Sequence, residues 1–157
     1  MIKRYYAYYD SPIGLLEIIS TEDSLVSIMF VDKKETTTKK PKVIEETCKQ
    51  LEEYFNGKRK TFDLKLMLRG TEFQNKVWHE LTKIPCGKVI TYKDMSKRIG
   101  NEKAVRAVGN ANGKNVINIV VPCHRLIGSN GKLTGYGGGL WRKKWLLEHE
   151  GAVVSKK

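Results

Sequence analysis

Acidic residues nearly disappear from the second half of this 157-residue chain. Residues 86–157 hold 14 Lys and Arg against 4 Asp and Glu, whereas residues 1–85 hold 15 against 13. Almost all of the net charge of +12 therefore belongs to the C-terminal half. A one-sided basic segment is the footprint of a nucleic-acid binder, and a lysine-rich solvated face gives the same count, so charge alone leaves both open. Cysteine is also scarce. Cys48, Cys86 and Cys123 are odd in number and far apart, with no CxxC or Cys/His chelate spacing. That excludes a disulfide framework and leaves zinc without support, so three free thiols in a reducing compartment are expected, with no metal and no cofactor. Long apolar runs are missing as well: nothing approaches the roughly 18 to 20 residues of a membrane span. The opening MIKRYYAYYD has no apolar signal core, so the expectation is a cytoplasmic protein with no membrane partner. No repeat or low-complexity segment is present.

What is there divides near residue 70. RYYAYYD, GLLEIIS and SLVSIMFVD are β-rich and separated by turn residues, which predicts a meander. From Val43 to Phe55 apolar residues recur at three and four, which predicts a helix stopped by Asn56-Gly57, with Cys48 on its inner face. Alternation at Phe62, Leu64, Leu66 and Leu68 predicts one more strand.

After Arg69-Gly70 the pattern turns helical. Thr71 with Gln74 forms a capping box for a helix carrying Phe73, Val77, Leu81 and Ile84 inward, ended by Pro85. Thr91 with Asp94 caps a second helix over 92–99 that buries Met95 and Ile99, and Asn101 caps a third over 102–112. A helix, one glycine and a helix is the layout of a helix-turn-helix with 102–112 in the recognition position. Ala104, Ala107 and Ala111 line one nearly bare face of it, suited to a narrow groove or to tight packing on a neighbouring helix. Asn130-Gly131 reads as a turn, and a last helix from about Leu140 buries Trp145, Leu146 and Leu147 before Gly151.

One stretch carries chemistry. In VPCHRL, residues 121–126, the run Ile119-Val120-Val121 reads as a short buried strand that Pro122 ends, placing the Cys123 thiol at the lip of a core. A free cysteine is only a few per cent thiolate near neutral pH, so a nucleophile there needs a base or a positive neighbour, which His124 or Arg125 can supply. A packed core cysteine fits the same letters.

Taken together, these segments resemble the O6-alkylguanine-DNA alkyltransferases, also called methylated-DNA–protein-cysteine methyltransferases. The signature stands here as VVPCHRLIG, and the likeness runs over residues 71–151 through FQNKVWHELTKIPCGKVITY, AVRAVGNANGKN, TGYGGG and KKWLLEHEG, with a looser SPIGLLEI earlier. The resemblance implies an α+β fold: a small N-terminal α/β sheet domain, 1–69, packed on a mainly helical, winged helix-turn-helix-like domain, 70–157, that binds DNA and accepts the alkyl group. It implies that Cys123 takes the alkyl group from O6 of guanine, that His124 accepts the thiol proton through a water, and that Glu150 orients and charges His124. Asn115 then ties the recognition helix to the active-site strand, and Tyr92 assists at the phosphate or the guanine. Arg106 is the side chain inserted into the base stack. Tyr136 with Gly137 and Gly138 lines the base pocket, Lys143 is a polar partner near the guanine, and Arg125 with the Ala104, Ala107 and Ala111 face completes the DNA-binding set.

The implied partner is double-stranded DNA carrying O6-alkylguanine, gripped in the minor groove by a monomer that flips the nucleotide out, in the cytoplasm on the nucleoid, or in a eukaryotic nucleus. Transfer is expected to be irreversible, single-turnover and cofactor-free, with O4-alkylthymine as a further substrate. A lesion sensor without transfer, a helix-turn-helix regulator and a Cys-His-Glu hydrolase are the alternatives. One departure is Asn118, expected to narrow the alkyl pocket; Cys48 and Cys86 match no family cysteine.

Overall fold

The computed structural model describes residues 2–152, in two units. One comprises the chain up to Leu68 together with Val116–Asn118; the other comprises Arg69–Asn115 and the chain from Ile119 onward. The division at 69/70 is thus displaced by one residue, and three residues of the second half belong to the first unit. Residues 1 and 153–157, the outermost of the assigned domains, lie outside the described residues.

In the first unit β1 (Tyr5–Ser11), β2 (Gly14–Ser20) and β3 (Leu25–Val31) form the expected antiparallel meander, with β2 central. The Ser11 hydroxyl closes the first turn by donating to the Gly14 carbonyl at 2.7 Å and accepting from the Ile13 N–H. Leu16 and Ile18 alternate into the core, as a pleated strand requires. Helix α1 (Lys42–Phe55) buries Ile44, Leu51, Tyr54 and Phe55 along one stripe. Gln50 lies on that stripe too. Its amide donates to the Asp63 carbonyl and accepts from the Asp63 N–H, tying down the segment that follows.

That segment differs from the strand expected over 62–68. It makes a single parallel bridge, Leu25 to Leu66, held by two backbone hydrogen bonds of 2.8 and 2.9 Å. β3 makes a second parallel bridge, Ile28 to Ile117, with Ile28 donating to the Val116 carbonyl and Asn118 donating to the Ile28 carbonyl. Asn118, expected at the wall of an alkyl pocket, commits its side-chain amide to the Ile28 carbonyl at 2.9 Å and to the Met29 sulfur.

In the second unit α2 (Glu72–Leu81) and α3 (Tyr92–Arg98) each open with the expected capping box, Thr71 with Gln74 and Thr91 with Asp94, both halves formed. α2 stops at Leu81, and turn hydrogen bonds carry the chain on to a buried Ile84. β4 (Ile90–Thr91) pairs in parallel with β5 (Leu126–Ile127), which brings the start of α3 beside the segment that follows Cys123. α4 (Val105–Gly113) begins three residues later than expected: Ala104 is its N-cap, and the Asn101 side chain instead accepts from the Lys103 N–H in the preceding turn. Packing against α2 and α3 divides the small-residue face. Ala104 and Ala111 turn inward with Val108 and Asn112, while Ala107 stays exposed. α5 (Leu140–His149) buries Leu146 and Leu147; Trp145 is only half-buried, its ring stacked on His149. Among the described residues, no helix is long and apolar enough to cross a membrane.

Trp78 on α2 sets the position of α4. Its indole N–H donates to the Ala111 carbonyl at 2.8 Å inside the core. Trp78→Phe removes that donor and part of the ring volume, and should lower unfolding free energy by about 2 kcal/mol. Urea denaturation followed by circular dichroism reads the change, and an unaltered midpoint would contradict it.

Candidate active site

The stretch expected as a strand, Ile119–Val121, is a tight turn. Ile119 has φ of 74°, a left-handed conformation that a β-branched residue adopts only when its surroundings enforce it. Pro122 follows with φ −81° and ψ 65°, an inverse γ-turn in which the Cys123 N–H donates to the Val121 carbonyl at 2.8 Å. Cys123–Arg125 then form a single 3-10 turn that runs into β5. Two asparagines brace it. Asn112 on α4 donates to the Cys123 carbonyl at 3.2 Å, and Asn115 donates to the Val121 carbonyl at 3.0 Å.

All three side chains of the CHR turn are buried. The His124 Nε2 lies 2.7 Å from Oε2 of Glu150, at the end of α5. Arg125 grips the same carboxylate as a fork, Nε to Oε1 at 2.8 Å and Nη2 to Oε2 at 3.0 Å, and its Nη1 donates to the Ile84 carbonyl at 2.6 Å. Arg125, expected in the DNA-binding set, is therefore an interior anchor of Glu150. On α5 the wholly buried Lys143 donates from Nζ to the carbonyls of Leu126 and Thr134, each at 2.6 Å. The Thr134 hydroxyl also hydrogen-bonds the Tyr92 hydroxyl at 3.1 Å, which draws Tyr92 to the base of the glycine-rich loop.

Burial dominates the electrostatics. It pushes the Cys123 thiol up, with the Asn115 hydrogen bond and the Lys143 charge pulling partly back, so the resting group is the thiol. Burial lowers His124, and Glu150 opposes this only in part, so the ring is neutral at pH 7. Burial alone would raise the Glu150 carboxyl, but the hydrogen bonds from His124 and Arg125 and the Arg125 charge hold it well below the usual carboxylate range. With His124 neutral, Arg125 is the charge that keeps Glu150 ionised. An ionised carboxylate can only accept, so Nε2 carries the ring proton and Nδ1 presents its lone pair. Burial also brings Lys143 down to about 8, which leaves it mostly protonated at pH 7. The buried charges, Arg125 and Lys143 against Glu150, then carry one positive charge in excess, which a Cys123 thiolate would balance.

Among the described residues, four buried side-chain polar atoms have no hydrogen-bond partner, and three of them belong to residues tied to Cys123: Nδ1 of His124, its neighbour in the chain, Oδ1 of Asn112, whose amide donates to the Cys123 carbonyl, and the hydroxyl of Tyr136, which feels the Cys123 charge. Unsatisfied buried polar atoms cost stability, and three of the four fall on residues next to or in contact with Cys123.

Two family models match the chain: 6-O-methylguanine DNA methyltransferase, DNA binding domain, over residues 72–152, and the ribonuclease-like domain of the same name over residues 4–68. The chain belongs to the 6-O-methylguanine DNA methyltransferase family. It is 47% identical to the methylated-DNA–protein-cysteine methyltransferase of Methanosarcina acetivorans, across 94% of this chain and 99% of that one. It is 46% identical to the constitutive Bacillus subtilis protein of that name, across 98% and 99%. A crystal structure of Mycobacterium tuberculosis OGT in complex with DNA superposes with a TM-score of 0.86 at 44% identity, covering 93% of this chain and 92% of that one.

Within this methyltransferase framework the expected residues fall into two groups. Asn115, Lys143 and Tyr136 interact with the Cys123 thiol, the adjacent His124 is paired with Glu150, and Tyr92 reaches Lys143 through Thr134. Arg106 and Ala107 lie exposed on the first turn of α4, while Ala104 and Ala111, expected beside them, face the core. Gly137 and Gly138 form the turn after Tyr136, and the Gly138 carbonyl accepts from Arg142. Three contributors were not anticipated: Asn112, Thr134 and the anchoring role of Arg125. Asn112 carried a signal, being a polar residue four after Val108 on an apolar face.

The carboxylate at the centre predicts a pH dependence. Glu150 titrates below its ordinary 4.5 and His124 below its ordinary 6.5 in the folded protein. Both bind protons more readily when unfolded, so both contribute stability that is present at neutral pH and lost as pH falls through those values. Glu150→Gln leaves Arg125 buried without a counter-charge and should cost about 3 kcal/mol at neutral pH. The variant should also lack the part of the wild-type decline that begins below about pH 4.5. Urea titrations stepped down in pH measure both, and parallel wild-type and variant curves would contradict the assignment.

Proposed function

We propose that this protein repairs alkylated DNA by moving the alkyl group from O6 of guanine onto the sulfur of its own Cys123. The carrying observation is the pairing of Glu150 with His124 Nε2, which leaves a buried, unpartnered Nδ1 on the residue next to the buried Cys123. The thiol proton passes to Nδ1 through a water, and the resulting imidazolium is stabilised by the Glu150 carboxylate. The thiolate attacks the alkyl carbon, the C–S bond forms as the C–O bond breaks, and the guanine leaves with the electron pair on O6 and takes up a proton. Excess positive charge from Arg125 and Lys143 lowers the cost of the thiolate in a dry interior. The thioether offers no route back, so one molecule serves one lesion. O4-alkylthymine presents the same alkyl–oxygen bond and is a second substrate of this reading.

A duplex hides O6, so the nucleotide is extruded from the stack, at a cost of a few kcal/mol. The exposed Arg106, on the first turn of α4, fills the vacated space, with that turn lying in the minor groove. Tyr136 and the Gly137–Gly138 turn take the base, and Tyr92 assists at the guanine or its phosphate. The basic second half speeds encounter with any DNA, in the cytoplasm and on the nucleoid, and the protein acts as a monomer with no metal or cofactor.

Incubation with a duplex containing one O6-methylguanine should add a single methyl to the peptide carrying Cys123, and none to Cys123→Ala, by peptide mass spectrometry. Lesion-selective binding without added mass would make the protein a sensor, and sustained turnover would exclude the stoichiometric scheme. Arg106→Ala should slow repair of duplex by about tenfold or more while sparing transfer from the free O6-methylguanine base. Equal losses on both substrates would remove Arg106 from extrusion.

A further inference from the structure

Trp141 is out of place by ordinary packing rules. Its side chain stands at the second position of α5, and the residue is 58% exposed. It is nevertheless held. Gly139 has φ of 95°, and a methyl group added there would lie 3.4 Å from the indole, so the ring lies against this glycine. The Arg142 guanidinium stacks 4.7 Å from the ring centroid, and its Nη1 donates to the Gly138 carbonyl at 3.0 Å. The Gly139 N–H in turn donates to the carbonyl of Tyr136, whose buried hydroxyl has no hydrogen-bond partner and feels the Cys123 charge. One tight turn thus links an exposed, cation-backed indole to Tyr136, which takes the base in the proposed function.

We propose that Trp141 and Arg142 form a stacking platform for a nucleotide of the lesion-bearing strand, beside the extruded guanine. Extrusion strips a stacking partner from the neighbouring bases, and an aromatic ring at the pocket mouth restores one without reading sequence. Every base has a π-face, which suits a protein that meets lesions in any context. Charge complementarity favours the anionic strand over a protein or lipid partner: the ring is backed by Arg142, Lys144 lies exposed on the same helix, and the second half carries nearly all of the net charge. The platform rests on the repair reading and adds to it a residue that positions DNA without touching the reacting atoms.

The test uses the full chain with Trp141→Ala and the conservative Trp141→Phe. Trp141→Ala should weaken binding to an O6-methylguanine duplex by at least about fivefold, the low end of what losing one base–aromatic stack costs. Trp141→Phe should recover most of that affinity, and methyl transfer from the free O6-methylguanine base should be unchanged in both. Duplex binding should also quench wild-type tryptophan emission by more than it quenches Trp141→Phe. Wild-type duplex affinity in Trp141→Ala, or equal losses on duplex and free base, overturns the platform. Wild-type transfer to Cys123 is scored in the same samples. Its absence overturns the repair reading and the platform with it, whereas its presence with unchanged Trp141→Ala affinity overturns the platform alone.

Discussion

A single carboxylate, shared in a dry interior, organises the second unit. Glu150 accepts a two-point fork from Arg125 and the Nε2 proton of His124, and Arg125 extends the same grip to the carbonyl of Ile84 beyond α2. The end of α5, the CHR turn and the C-terminal flank of α2 are thereby fixed to one another by charged hydrogen bonds. Such a cluster is poor value as a source of stability, because desolvating the ions consumes most of what their attraction returns. Its justification is chemical. Arg125 keeps the carboxylate ionised, the carboxylate fixes the histidine tautomer, and the tautomer leaves a lone pair on Nδ1, the atom that takes the thiol proton in the proposed mechanism.

The same economy governs the cysteine. Burial makes thiolate expensive, which protects Cys123 from adventitious oxidation or alkylation while it waits. In the proposed mechanism the surplus positive charge of the interior and the His124 base reduce that expense once a reactant occupies the site, which makes reactivity conditional on occupancy.

Legibility in the sequence followed the range of the forces involved. The β1–β3 meander and the two capping boxes at Thr71 and Thr91 rest on contacts within a few residues, and they stand as expected. Where distant partners decide, local pattern misled. Ile119–Val121 has the letters of a strand, yet the segment takes no strand pairing and turns left-handed at Ile119. Ala104 and Ala111 were equally suited to a groove or to a helix, and α2 and α3 claimed them. Arg125 reads as a DNA-binding residue because nothing in PCHRL announces that Glu150, 25 residues on, will hold it inside. His124 and Glu150 were themselves legible as a pair only through family likeness, since no local rule joins them.

The three residues Val116–Asn118 have an implication for biosynthesis. They lie beside β3, on the first unit's side of the division, although the chain has by then traversed α2, α3 and α4. On a ribosome, the N-terminal sheet can assemble as soon as β3 and α1 emerge, but this edge stays open until about sixty further residues have been made. The two units are consequently interlaced in chain order and not strung like beads, so a cut near residue 69 would leave the N-terminal fragment without its final strand segment and the other fragment carrying it unpaired.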